Sequence, residues 1–210
     1  MDPFLQSQFT LPLQWDVFAT FLFAAAGTVR TIRRGYDIVG VVIVAVAGSL
    51  GGGMLRDVFL GSLPPVALVD VRFMASVLLG AIVGMALHRY VVRAMPVVEF
   101  VNTVSIGMYA VFGTQKAILA GLSPLGALFI GVLNAIGGGL LRDIIIREEP
   151  EVFRPSHFYA VAIAAGVVTF LVLGRYVSIR AETAAMIAIG VTIAIRSLAL
   201  RFGWRTRSLM

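Results

Sequence analysis

Two stretches, Gly51-Gly52-Gly53-Met54-Leu55-Arg56-Asp57 and Gly137-Gly138-Gly139-Leu140-Leu141-Arg142-Asp143, decide how this chain is read. They stand 86 residues apart. The same gap-free shift lays Gly27-Thr28 on Gly113-Thr114, Arg30 on Lys116, Gly40 on Gly126 and Pro64 on Pro150. It also lays Gly80 on Gly166, and Arg89-Tyr90 on Arg175-Tyr176. A match sustained from Gly27 to Tyr90 without a gap identifies an internal duplication.

The composition around the two motifs belongs to a membrane. Of 210 residues, 59% are hydrophobic and 13% charged, against about 25% charged in soluble domains. The mean hydropathy is +0.95. These values exclude a disordered chain and most soluble enzymes. The net charge is +6, but the arginines are scattered in twos and threes between apolar runs. That pattern flanks membrane helices and does not form a nucleic-acid surface. There is no cysteine, and His88 and His157 lie far apart, so no metal ligand set stands out. Met1-Asp2-Pro3 has no basic region of the kind that opens a cleaved signal peptide.

A helix needs about 20 apolar residues to cross a bilayer. Seven runs qualify: 12–30, 38–60, 71–90, 97–117, 124–146, 156–174 and 182–200. Pro64-Pro65, Pro96, Pro124, Pro150 and Pro155 stop or start them, because proline lacks an N–H and fits a first helical turn. The expected fold class is therefore all-α, a single membrane domain over 1–210. Residues 12–90 form a first three-helix repeat, 97–176 a second, and 182–200 a seventh helix. Three spans per copy make the second copy enter from the opposite face, an inverted arrangement used by channels and secondary transporters.

Three glycines cost a helix about 3 kcal/mol relative to alanine. Gly51, Gly52, Gly53 and Gly137, Gly138, Gly139 impose that cost twice. One reading is close packing of helix backbones. The other, which the sequence favours, is a break that turns backbone groups toward a water-filled path. Arg56 and Asp57, and Arg142 and Asp143, follow each break, and adjacent helical residues do not face each other. Separate partners are therefore expected, with a polar mouth at each end of a central path. Ser49 and Asn134 lie within a turn before the glycines. Thr114 and Lys116 complete the candidate pore and gate positions, Lys116 either snorkelling or setting the field of a pore. Asp16 and Asn102, equivalent by the shift, are expected to cap helix starts. Glu148, Glu149 and Glu151 read as a solvated loop. No catalytic motif occurs, so neither an enzyme nor a bound cofactor is expected.

The paired Gly-Gly-Gly-x-x-Arg-Asp motifs on a three-helix repeat, together with Phe112-Gly113-Thr114-Gln115-Lys116-Ala117, resemble the prokaryotic branch of the trimeric intracellular cation (TRIC) channel family. The resemblance covers roughly residues 12–200. It implies a seven-helix protomer, a homotrimer in the lipid bilayer, and a K⁺- or Na⁺-conducting pore in each protomer, lined by the second and fifth helices. One departure is Asn102, where relatives often place an Asp matching Asp16. The same bacterial family includes proteins described as transporters of small amino acids, glycine above all. In that alternative, the free N–H groups of Gly53, Met54, Gly139 and Leu140 would hold a substrate carboxylate.

Placing the N-terminus outside puts 12 of the 17 Lys and Arg residues on the inner segments and 5 on the outer. The positive-inside rule then sets the N-terminus out and the C-terminus in, in the inner membrane. A reporter active only in the cytoplasm is expected to work when fused after Met210 and to be silent after Gly121. The opposite pattern would reverse the orientation.

Overall fold

The computed structural model describes residues 10–91, 95–153, 155, 158–177 and 179–206. Among them are seven long helices and no strand. They are α1 (Leu13–Arg33), α2 (Ile38–Phe59), α3 (Val71–Val91), α4 (Met95–Leu119), α5 (Pro124–Ile145), α6 (Tyr159–Val172) and α7 (Ala181–Phe202). A single helical turn, Val66–Val69, precedes α3, and a π-helical turn, Leu173–Val177, extends α6. Six helices, α2 to α7, are long and apolar enough to cross a membrane. Gln14, Asp16, Arg30 and Arg33 make α1 more polar than the rest. It is nonetheless packed inside, with Ala19, Phe23, Ala24 and Val29 buried. The outward faces carry exposed Ile43, Phe59, Leu79, Leu125 and Phe129, as a lipid-facing surface requires.

The duplication recurs in the helix ends. Asp37 caps α2 by accepting from the Gly40 N–H at 2.8 Å, and Ser123, its shifted equivalent, caps α5 by accepting from Gly126 at 3.2 Å. Each side chain occupies an amide that the first turn leaves without a partner. The turns before these caps use Gly35 (φ +80°) and Gly121 (φ +84°), again equivalent positions. The turn after α2 uses Gly61 at φ +66°, whereas its counterpart after α5 is Arg147 at φ +57°. There the second copy holds a left-handed backbone with an L side chain, a conformation glycine adopts at no steric cost.

The triple glycines correct the expected break. The α-helix runs without interruption through Gly51–Gly53 and through Gly137–Gly139. What the glycines permit is a close crossing of α2 and α5. A methyl added to Gly52 would lie 2.3 Å from the Asn134 carbonyl oxygen, and one added to Gly138 would lie 2.0 Å from the Gly48 oxygen. At Gly51 it would meet Leu141, and at Gly137 it would meet Leu55. Each contact maps onto the other under the 86-residue shift. Partner numbers on α5 fall as those on α2 rise, so the helices run in opposite senses where they cross.

The symmetry fails around α6. Gly80 and Gly84 let α3 lie against the Phe21 and Ala25 carbonyls of α1. Gly166, the counterpart of Gly80, is closed instead by Ala188 and Thr192 of α7. Gly107 of α4 also faces Ile189 and Thr192. The unrepeated helix α7 therefore packs against both α4 and α6.

The crossing distinguishes neighbouring glycines. At Gly53 and Gly139 an added methyl would make ordinary contacts, 3.6 Å from Arg56 Nη2 and 3.5 Å from the Tyr159 hydroxyl. Gly53→Ala and Gly139→Ala are expected to be neutral, or stabilising by up to about 1 kcal/mol from helix propensity. Gly52→Ala and Gly138→Ala are expected to destabilise by about 1–3 kcal/mol, because the obstacle is backbone. Thermal unfolding in detergent measures the difference.

Candidate functional site

Two sets of buried charges flank the crossing. In the first, Arg56 and Asp57 sit in the last turns of α2, Asp16 in the first turn of α1 and Lys116 near the end of α4. Arg56 Nε donates to Asp57 Oδ1 at 2.8 Å, and its Nη1 lies 3.4 Å from Asp16 Oδ2. Lys116 Nζ lies 3.2 Å from the same Asp57 oxygen, and Asp57 Oδ2 accepts from the Val66 N–H at 3.0 Å. Arg56, Asp57 and Asp16 are buried. Two positive and two negative groups therefore neutralise one another where isolated ions would be costly.

In the second set, Arg142 Nε donates to Asp143 Oδ1 at 2.8 Å, and Asp143 Oδ2 accepts from the Glu151 N–H at 3.4 Å. The Asp143 contact to the chain beyond its helix parallels that of Asp57 to Val66. Arg30 pairs with Glu99, and Arg196 pairs with Glu151 and lies 3.8 Å from Glu99. The Arg142 guanidinium stands 5.3 Å from the Phe23 ring centre, and that of Arg196 stands 4.7 Å from Tyr159. Charges again balance, three against three. Beside this set a cavity of about 420 Å³ is lined by Arg30, Arg33, Arg34, Met95, Glu99 and Glu148.

Between the two sets lies Tyr109, 5.8 Å centre to centre from Phe23, its counterpart under the shift. The Tyr109 hydroxyl donates to the Ser49 carbonyl at 2.9 Å and lies 3.1 Å from Thr20 Oγ1. Asn134 Nδ2 donates to the Tyr109 carbonyl at 2.6 Å. Among the polar side-chain atoms buried in the interior without a protein partner are Thr28 Oγ1, Ser49 Oγ, Asn102 Oδ1, Gln115 Oε1, Asn134 Oδ1 and Arg142 Nη1.

Most of the expected site residues therefore converge on one axis, with different roles. Arg and Asp of each motif pair with one another, because the guanidinium folds back along its own helix turn. Separate partners had been expected. Asp16 does not cap α1, whose cap position is Pro12 without a side-chain bond; its carboxylate faces Arg56. Asn102 is buried well inside α4. Thr114 donates to the Ala110 carbonyl at 2.8 Å, the usual bond to the preceding turn. Lys116 pairs with Asp57, a partner the sequence did not indicate. Glu148 and Glu151 are not simply solvated, since they pair with Arg34 and Arg196. Among the described residues no group of acidic or histidine side chains suits a metal ion, and His157 lies outside them. Tyr109, Glu99 and Arg196 were missed. The aromatic pair Phe23 and Tyr109, 86 residues apart, was the signal available for the first.

A family model described as "Glycine transporter" matches residues 13–89 and 99–175, two stretches again 86 residues apart. A UPF0126 membrane protein of Deinococcus radiodurans is 35% identical over 79% of each chain. The UPF0126 inner membrane protein YadS of Escherichia coli is 29% identical over 89% of this chain and 90% of its own. Among solved structures, the TRIC channel orthologue from Rhodobacter sphaeroides superposes with a TM-score of 0.81 at 26% identity, covering 91% of this chain and 97% of its own. A structure described for conductance through TRIC cation channels gives 0.84 at 22% identity, covering 96% and 98%. The fold is thus that of a TRIC-type helical membrane protein. The chain belongs to the bacterial family described as glycine transporters.

Glu151 lies in the loop between α5 and α6. Burial would raise its carboxyl, but the charge and hydrogen bond of Arg196, helped by Arg30 and Arg142, hold it below its ordinary value. A depressed carboxylate contributes stability above its unfolded pKa, about 4.3, and loses it as pH falls through the folded value. Wild type is expected to be more stable than Glu151→Gln at pH 7. That margin should shrink below about pH 4 in paired thermal melts.

Proposed function

We propose that the protein conducts monovalent cations, K⁺ or Na⁺, through a path within each protomer of a homotrimer. The path follows the axis from the Asp16–Arg56–Asp57–Lys116 set, past Tyr109, to the Arg142–Asp143 set. α1 counts as a seventh span, and the two three-helix copies are inverted. The N-terminus faces outward and the C-terminus the cytoplasm of a bacterial inner membrane.

The observation that carries this reading is the set of buried polar atoms without protein partners on α2, α4 and α5. Such groups are tolerated at membrane depth where they line a watered path. The likeness to solved TRIC cation channels supports it. Charge neutrality at each end leaves carbonyl, amide and hydroxyl oxygens as the groups that meet a cation along the axis. In this conformation Tyr109, tied to Ser49 and Asn134, closes the axis. Opening requires those bonds to be exchanged for water or for the permeant ion.

A second reading, a transporter of a small amino acid such as glycine, is favoured by the description of the family model. Because the glycine stretches are continuous helix here, free N–H groups at Gly53, Met54, Gly139 and Leu140 do not support it. Purified protein in liposomes, assayed in parallel for K⁺ flux and labelled glycine uptake, separates the two. Conduction predicts K⁺ flux that rises with the gradient and no saturable glycine uptake. Saturable uptake of glycine with no independent K⁺ current would replace the channel with the transporter.

A further inference from the structure

The second copy of the repeat carries a groove on its outer surface. Leu122, Leu125 and Leu128, at the entry to α5 and along it, line a cavity of about 420 Å³ together with Val168, Leu171 and Val172 of α6. The side chains of its wall are apolar except for Arg175 and Tyr176. Both belong to the π turn that ends the α6 span. Such turns are rare and frequently lie at functional sites. The 86-residue shift lays this turn on residues 87–91, where α3 stays an α-helix. The polar end of the groove is therefore built where the second copy departs from the first.

Arg175 is exposed, and no ion pair among the described residues includes it. Leu125, Val168, Val172 and Tyr176 are exposed as well, so the groove opens toward lipid. An unfilled apolar groove forfeits the contacts of its lining atoms, and a flexible acyl chain suits its shape. From Arg175 back to Val168 is about 10 Å of helix, so a chain lying along α6 brings its headgroup to Arg175. Bulk lipid tails are as apolar as the groove, so burying a chain there gives no preference for one lipid over another. The unpaired guanidinium does give one, because it offers a fork of N–H donors to a phosphate. Its charge is answered when the lipid carries a net negative charge. Tyr176 places an amphipathic ring beside it, as residues at headgroup level do.

We propose that this groove is a binding site for an anionic phospholipid, with one acyl chain between α5 and α6 and the phosphate on Arg175. Phosphatidylglycerol has the required chemistry. Ile118 and Gly121 complete the wall, so a bound lipid joins the ends of α4, α5 and α6. None of the lining residues belongs to the two buried charge sets, and the site stands apart from the conduction path.

The test is photocrosslinking of the full chain in phosphatidylcholine nanodiscs. These contain increasing fractions of phosphatidylglycerol, or of phosphatidylcholine, with a diazirine in one acyl chain, and adducts are mapped by peptide mass. Phosphatidylglycerol is expected to label residues 118–128 and 168–176 more than phosphatidylcholine does, while both label the lipid-facing stretch 78–82 of α3 alike. Arg175→Gln is expected to shift half-maximal labelling of the groove to about tenfold more phosphatidylglycerol. Val168→Trp, which fills the groove from within, is expected to remove the label from 118–128, and Val172→Trp serves if that variant fails to fold. Equal labelling of the groove by the two lipids in wild type would overturn the proposal. So would undiminished phosphatidylglycerol labelling in Arg175→Gln or in a folded tryptophan variant. A groove free of lipid adducts, with Val168→Trp dissociating the oligomer, would also overturn it and make the groove a contact between copies. Soluble glycerol phosphate is not expected to compete; competition would reduce the site to a phosphate alone and overturn the lipid assignment.

Discussion

The structure depends on a backbone-to-backbone contact between two helices. α2 and α5 approach so closely at Gly52 and Gly138 that no side chain fits between each glycine and a carbonyl of the other helix. In a membrane, packing of this kind is a main source of helix association, because lipid tails are as apolar as the side chains. The close approach fixes the rest. It brings the Arg-Asp pairs to opposite ends of one axis, because the helices run in opposite senses. It also leaves Ser49 and Asn134 beside Tyr109, where their backbone and amide groups hold the ring in place.

Duplication built that axis, and later divergence made its ends different. The end near Asp57 is joined by Lys116, the counterpart of Arg30. The end near Asp143 recruits Arg196 from α7, a helix with no counterpart in the repeat. Arg196 is buried against Tyr159 and bridges Glu151 and Glu99. The same helix closes the groove at Gly166 that α1 closes at Gly80. A pseudo-symmetric pair of halves has thus become one chain with distinct faces, and Asn102, at the position the shift lays on Asp16, is part of that difference.

Much of this was legible in the sequence. The duplication, the number and approximate limits of the long helices, and the concentration of polar residues along one axis all follow from apolar runs and the 86-residue shift. The use of the triple glycines was not. A run of glycine lowers helix propensity wherever it occurs, and sequence alone does not say whether a neighbouring backbone repays that loss. The self-pairing of Arg56 with Asp57 was hidden for a related reason. Helix geometry separates adjacent Cβ atoms, but the long arginine stem folds back over its own turn. Arg196 and Glu99 carried no signal of their own in the sequence, because their partners lie far away in the chain.

The absence of cysteine permits a direct test of whether the axis carries water and ions. Ser49→Cys and Asn134→Cys, each alone in the chain, would be challenged with a small water-soluble thiol reagent while K⁺ flux is recorded, with the lipid-facing Phe129→Cys as reference. Conduction along this axis predicts modification at 49 and 134, with flux falling as modification proceeds, and no loss of flux at 129. A protein that conducts normally while cysteines at 49 and 134 stay unreactive would place the path elsewhere and leave the α2–α5 crossing a purely structural contact.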